Sequence, residues 1–132
     1  GFTTEEAKMT FESRKILGVP DLRVASTCVR VPVFFAHSVA VHAEFSATMT
    51  PEMAREILAK SEGVKVIDDL ANSQYPMPLF IGGGDDVGVG RIRVDPSVDN
   101  GLALWCCGDN IRKGAAQNAV HIAEVMIKRG LL

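Results

Sequence analysis

Arg30 and His37 stand seven residues apart, with the apolar connection Val33-Phe34-Phe35-Ala36 between them. An imidazole exchanges protons near neutral pH, and a guanidinium grips a carboxylate through two parallel hydrogen bonds. A reversing chain would set the two side by side as an acid/base and an anchor. On spacing alone, a histidine that merely packs in a turn is the favoured reading. His42 on a strand and His121 in a helix read as structural. Glu5 and Lys8 are three apart and share one helix face, where a surface ion pair is worth a few tenths of a kcal/mol. A functional reading of that pair needs an oxyanion for Lys8 and a cation for Glu5.

Other candidates carry less. Gly82-Gly83-Gly84 lacks the G-x-x-x-x-G-K-[ST] pattern of a phosphate loop, and Asp85-Asp86 would repel phosphate. Gly88-Val89-Gly90 lies in strand-like sequence and reads as a bulge or turn. Cys28, Cys106 and Cys107 show no C-x-x-C spacing, and adjacent cysteines on a strand point to opposite faces. They read as small buried residues, with no structural metal expected.

These residues must be positioned by a chain of 132 residues, 47% hydrophobic and 23% charged, with a net charge of −2. That composition is globular, excludes disorder and coiled coil, and argues against a nucleic-acid surface. The uncharged stretch Leu70–Gly84 is broken by Asn, Pro and Gly, so no segment approaches the ~20 apolar residues of a membrane span. With no signal-peptide pattern, no membrane association and a cytoplasmic setting are expected. Thr3-Thr4-Glu5-Glu6 is a capping box that opens a helix to Leu17, stopped by Gly18 and Pro20. Leu22–Val31 alternates as a strand, and Val39–Phe45 does so again. Thr50-Pro51 opens a second helix with Met53, Ile57 and Leu58 as its apolar stripe, ended by Gly63. Val64–Ile67, Val87–Val94 and Leu102–Cys107 read as strands, and Leu70–Asp86 as a long loop. A last helix runs from Asp109 or Asn110 to Gly130, with two neighbouring apolar stripes. The order predicts a single α+β domain over residues 1–132, with a mixed, largely antiparallel sheet and helices packed on one face.

Four ordered segments carry a family resemblance. Thr4-Glu5-Glu6-Ala7-Lys8-Met9 with Glu12-Ser13-Arg14-Lys15, Thr27-Cys28-Val29-Arg30-Val31-Pro32 with His37-Ser38, Val89-Gly90-Arg91-Ile92-Arg93, and Asp109-Asn110-Ile111-Arg112-Lys113-Gly114-Ala115-Ala116 together resemble the substrate-binding and dimerisation domain of aspartate-semialdehyde dehydrogenases. That domain is the C-terminal part of a glyceraldehyde-3-phosphate-dehydrogenase-like enzyme. The resemblance implies the NADP-dependent interconversion of L-4-aspartyl phosphate and L-aspartate-4-semialdehyde with phosphate, on the route to lysine, threonine, methionine and diaminopimelate. It implies His37 as general acid/base, Arg30 and Glu5 as substrate-binding residues, Lys8 as phosphate-binding and Asn110 as cofactor-binding. It also implies a homodimer or higher homo-oligomer.

Two departures from the family pattern qualify this. The Asn-Cys nucleophile motif and the Rossmann segment do not occur in residues 1–132, so this chain by itself is expected to be inactive. Ala36 stands where the family has Gly before the histidine, which alters the local turn. An N-acetyl-glutamyl-phosphate reductase domain shares the scheme, but an amino-contacting Glu5 argues against its N-acylated substrate. A non-catalytic dimerisation paralogue has no evident need for Arg30, His37 and Lys8.

Overall fold

The computed structural model describes residues 1–132, which divide into two compact units, Gly1–Pro32 and Val33–Leu132. In the first, helix α1 (Thr4–Leu17) forms where the capping box predicts it. The Thr3 hydroxyl accepts the Glu6 amide at 3.2 Å, and the Glu6 carboxylate accepts the Thr3 amide at 2.8 Å, so two otherwise orphaned donors are satisfied reciprocally. Gly18 ends the helix at φ +67, a left-handed conformation open to glycine at no steric cost. The second oxygen of Glu6 accepts the Cys28 amide at 2.9 Å, tying residue 28 back to the first turn of α1. These hydrogen bonds, those with Thr3 and Cys28 above all, hold the Glu6 carboxyl below the usual carboxylate range.

Leu22–Val31 is not the strand that its alternation predicts. Alternation specifies two faces, but a strand also requires a neighbouring backbone to share its hydrogen bonds, and the sheet of residues 37–108 does not include this segment. Cys28 is exposed, against the expectation of burial.

The second unit is built on a four-stranded sheet in the order β1-β4-β3-β2. Strand β1 (His37–Glu44) runs antiparallel to β4 (Gly101–Gly108), which runs antiparallel to β3 (Val87–Asp95). Short β2 (Val64–Val66) lies parallel to β3. The sheet is thus mixed and largely antiparallel, as the element order predicts. Helix α2 (Pro51–Ala59) is capped by the Thr50 hydroxyl, which accepts the Met53 amide at 3.2 Å, with Pro51 in its first turn. It packs on the sheet through Ala54 and Leu58 over Val89, Ile92 and Leu102. Met53 and Ile57, expected in the apolar stripe, face outward. The inward line is the i, i+4 pair Ala54 and Leu58, because the small Ala54 allows the close approach.

The register of β3 slips between Gly90 and Arg93, and Arg91 takes φ +53. Asp68, whose side chain is buried, holds this bulge. Its carboxylate accepts the Arg91 amide at 2.6 Å and pairs with Arg55 at 2.8 Å, while Arg55 also donates to the Ile92 carbonyl at 2.7 Å. Each polar group freed by the slip therefore has a partner. The expected long loop 70–86 contains one short helical turn, α3 (Pro78–Ile81), whose Ile81 is buried. Gly90 is glycine for a steric reason: a Cβ there would lie 2.0 Å from the Ile67 carbonyl oxygen.

After β4 the chain enters a π turn, Arg112–Ala116, which continues as helix α4 (Gln117–Lys128). The amides of Gly114 and Ala116 reach the carbonyls of Asp109 and Ile111, five residues back. α4 buries none of its residues, and Val120, Ile122 and Ile127 are exposed. No helix is long and apolar enough to cross a membrane.

Candidate active site

The antiparallel register places His37 opposite Gly108, the last residue of β4, so the imidazole stands where β4 hands over to the π turn. Ala36, just before it, takes φ +76. This is the left-handed region in which an L residue other than Gly, Asn or Asp is uncommon. Alanine here is held in a conformation that suits glycine.

His37 lines an open concavity of about 320 Å³ together with Val39, Val87, Cys106, Asn110 and Lys113. Its walls come from the start of β1, the start of β3, the end of β4 and the π turn. His37 and Asn110 are both exposed, so a ligand can reach them from solvent. Lys113 is half-buried against the turn before β2, where a methyl added to Gly63 would lie 2.5 Å from the ammonium. No carboxylate pairs with Lys113, whereas its neighbour Arg112 pairs with Asp85. A free ammonium, an imidazole and an amide on one rim can receive an anionic, hydrogen-bonding ligand.

The concavity holds no activated thiol. Burial, and then the neighbouring Cys107, push the Cys106 thiol above its ordinary value, so the thiolate is disfavoured. Cys107 is fully buried.

Asp109, between Gly108 and Asn110, is 4% exposed and makes three backbone hydrogen bonds. One oxygen accepts the Gly83 amide at 2.7 Å, and the other accepts those of Ile111 at 2.8 Å and Arg112 at 3.0 Å. These bonds, that from Gly83 most of all, hold its carboxyl below the usual range. Sequence reading marks Asp109 as a helix start but misses its link to Gly83, because nothing local joins positions 26 residues apart. Lys113 is a further residue of the concavity that the sequence does not single out, since its place beside His37 depends on how the end of β4 meets the start of β1.

The remaining expected site residues belong to the first unit. Glu5 and Lys8 lie exposed on one face of α1, with the ammonium 3.4 Å from both carboxylate oxygens. Arg30 is exposed in the segment without a ladder.

Residues 1–113 match the profile of the family described as "Semialdehyde dehydrogenase, dimerisation domain". Two curated relatives named aspartate-semialdehyde dehydrogenase, from Aquifex aeolicus and Synechocystis, are 50% identical over 132 residues and 53% identical over 131. The chain is covered at 100% and 99%, but it spans only 39% of either relative's length. Among solved structures, aspartate semialdehyde dehydrogenase II from Vibrio cholerae, complexed with ASA, superposes with a TM-score of 0.82 at 43% identity. That match covers 97% of this chain and 38% of the Vibrio chain.

Proposed function

This chain belongs to the semialdehyde dehydrogenase dimerisation-domain family, and from that premise we propose that it is the substrate-binding and dimerisation domain of an NADP-dependent aspartate-semialdehyde dehydrogenase. The observation that carries this reading is similarity along the whole of this chain to part of enzymes of that name, at half identity, with His37 and Asn110 opening onto one concavity. The enzyme interconverts L-4-aspartyl phosphate and L-aspartate-4-semialdehyde, in the biosynthesis of lysine, threonine, methionine and diaminopimelate. Its setting is the cytoplasm.

His37 is the general acid/base, taking up the proton released from the thiol adduct's hydroxyl as its carbon is oxidised and returning it to that oxygen on reversal. Arg30 holds the substrate carboxylate in a bidentate grip, and Glu5 accepts from its ammonium. Lys8 neutralises charge on phosphate. Asn110 offers an amide to the nicotinamide end of NADP. A fuller dinucleotide site does not fit here, since Gly82–Gly84 leads into Asp85 and Asp86 rather than into a helix N-terminus. NADP supplies the hydride chemistry. The nucleophilic thiol comes from outside residues 1–132: Cys107 is enclosed, Cys106 is held as the thiol, and exposed Cys28 belongs to a Thr-Cys-Val segment unlike the family's Asn-Cys motif. The working form is a homodimer.

A chimera tests this reading. With this chain replacing the corresponding part of the Vibrio cholerae enzyme, we expect NADPH to form from semialdehyde, NADP and phosphate, and not from an N-acetylated five-carbon semialdehyde. The 132-residue chain alone should form none. A folded chimera inert toward both substrates, or one preferring the N-acetylated substrate, would overturn the assignment.

A further inference from the structure

We propose that Asp109 is a positioning residue for the site, clasping the Gly82–Gly84 loop to the end of β4 so that Asn110 and Lys113 are held across the concavity from His37. This rests on the functional reading above, and it concerns a residue with no part in the chemistry itself.

The geometry argues for more than a helix cap. A cap needs one carboxylate oxygen, and Asp109 uses one for the amides of Ile111 and Arg112. The other oxygen, turned away from the helix, accepts the Gly83 amide at 2.7 Å, the shortest of the three bonds. Gly83 lies at φ +82 in the loop that follows α3, where an L side chain would be strained. The residues on both sides of Asp109, Gly108 and Asn110, line the concavity. A carboxylate nearly sealed from water, bonded in two directions, fixes both flanks at once. Without it, Asn110 keeps its place in the sequence but loses its register against His37.

Two substitutions separate the cap from the clasp. In Asp109→Asn the side-chain carbonyl can still accept from Ile111 and Arg112, but the amide nitrogen would face the Gly83 donor. Asp109→Ala loses both. In the 132-residue chain, Asp109→Asn should leave the melting temperature near that of the parent, remove exchange protection from the Gly83 amide, and shift the His37 ring and Asn110 side-chain resonances. In the dehydrogenase that carries this domain, the same substitution should lower kcat about tenfold and raise KM for NADP several-fold. Asp109→Ala should do the same and also lower the melting temperature, while Asp109→Glu should recover little, since its carboxylate cannot occupy the same two positions. Unchanged His37 and Asn110 signals in Asp109→Asn, or wild-type kcat and KM in that variant, would overturn the proposal. A parent enzyme inert toward the semialdehyde would instead defeat the functional reading.

Discussion

The Lys8 ammonium sits 3.4 Å from both oxygens of Glu5, one turn away on α1. Both side chains are half-exposed or more, so this pair contributes a few tenths of a kcal/mol at most. Such a weak bond is easily exchanged for another ligand, which the roles proposed for Lys8 and Glu5 require. In the dehydrogenase, Lys8→Ala should raise KM for phosphate with little change in melting temperature. Unaltered phosphate dependence would leave the ion pair as the whole role of Lys8.

His37→Ala should reduce kcat by about 10²–10⁴-fold with a much smaller effect on substrate affinity, the signature of lost acid/base catalysis. Arg30→Leu should act in the opposite sense, weakening semialdehyde binding and orientation first. Steady-state kinetics on the pair checks both, and equal effects on kcat and KM in the two variants would contradict the roles given.

Ala36 is held at φ +76, which costs an L residue roughly 1–2 kcal/mol relative to glycine. Part of the gain from Ala36→Gly is lost to the freer unfolded chain. The substitution should still raise stability by roughly 0.5–1 kcal/mol, seen as a higher urea midpoint at constant slope. A lower midpoint would show that the turn before His37 tolerates alanine without strain.

Asp95 and His42 meet at 2.7 Å, reaching past β4 from the strands on either side of it. The His42 hydrogen bond, followed by those from the Ser97 hydroxyl and amide, lowers the Asp95 carboxyl to about 2. An unfolded Asp titrates near about 3.9. The carboxylate is therefore favoured in the fold, so its contribution is complete above the unfolded value and disappears as pH falls towards the folded one. Acid unfolding of the parent should be steeper between pH ~4 and ~2 than that of Asp95→Asn. Parallel acid limbs would deny Asp95 this role.

What could be read in the sequence was what neighbours decide. Thr3 and Glu6 are three apart, Thr50 and Pro51 adjacent, and both helix starts fall where those residues put them. In the sheet, the strand after His37 followed from alternation and the other strands from apolar runs bounded by turn residues. The family was legible because its motifs keep their order along the chain. Misreadings arose where distant partners decide. Leu22–Val31 has a strand's side-chain pattern and no ladder. The inward line of α2 depended on how closely Ala54 could approach Val89. Asp109 depended on Gly83, and nothing in Arg112–Ala116 distinguishes a π turn from an α turn by composition.

That π turn sets the phase of everything after it. Each five-back hydrogen bond admits one residue more than an α turn would, and a residue is worth about 100° of rotation. Apolar positions that an unbroken helix would align before and after Arg112–Ala116 therefore point in different directions. Deleting one residue there would do more than shorten the chain by a single unit. It would turn the whole of α4 by more than a quarter of a circle, aiming a different side at whatever the helix meets, while leaving β4 and His37 undisturbed.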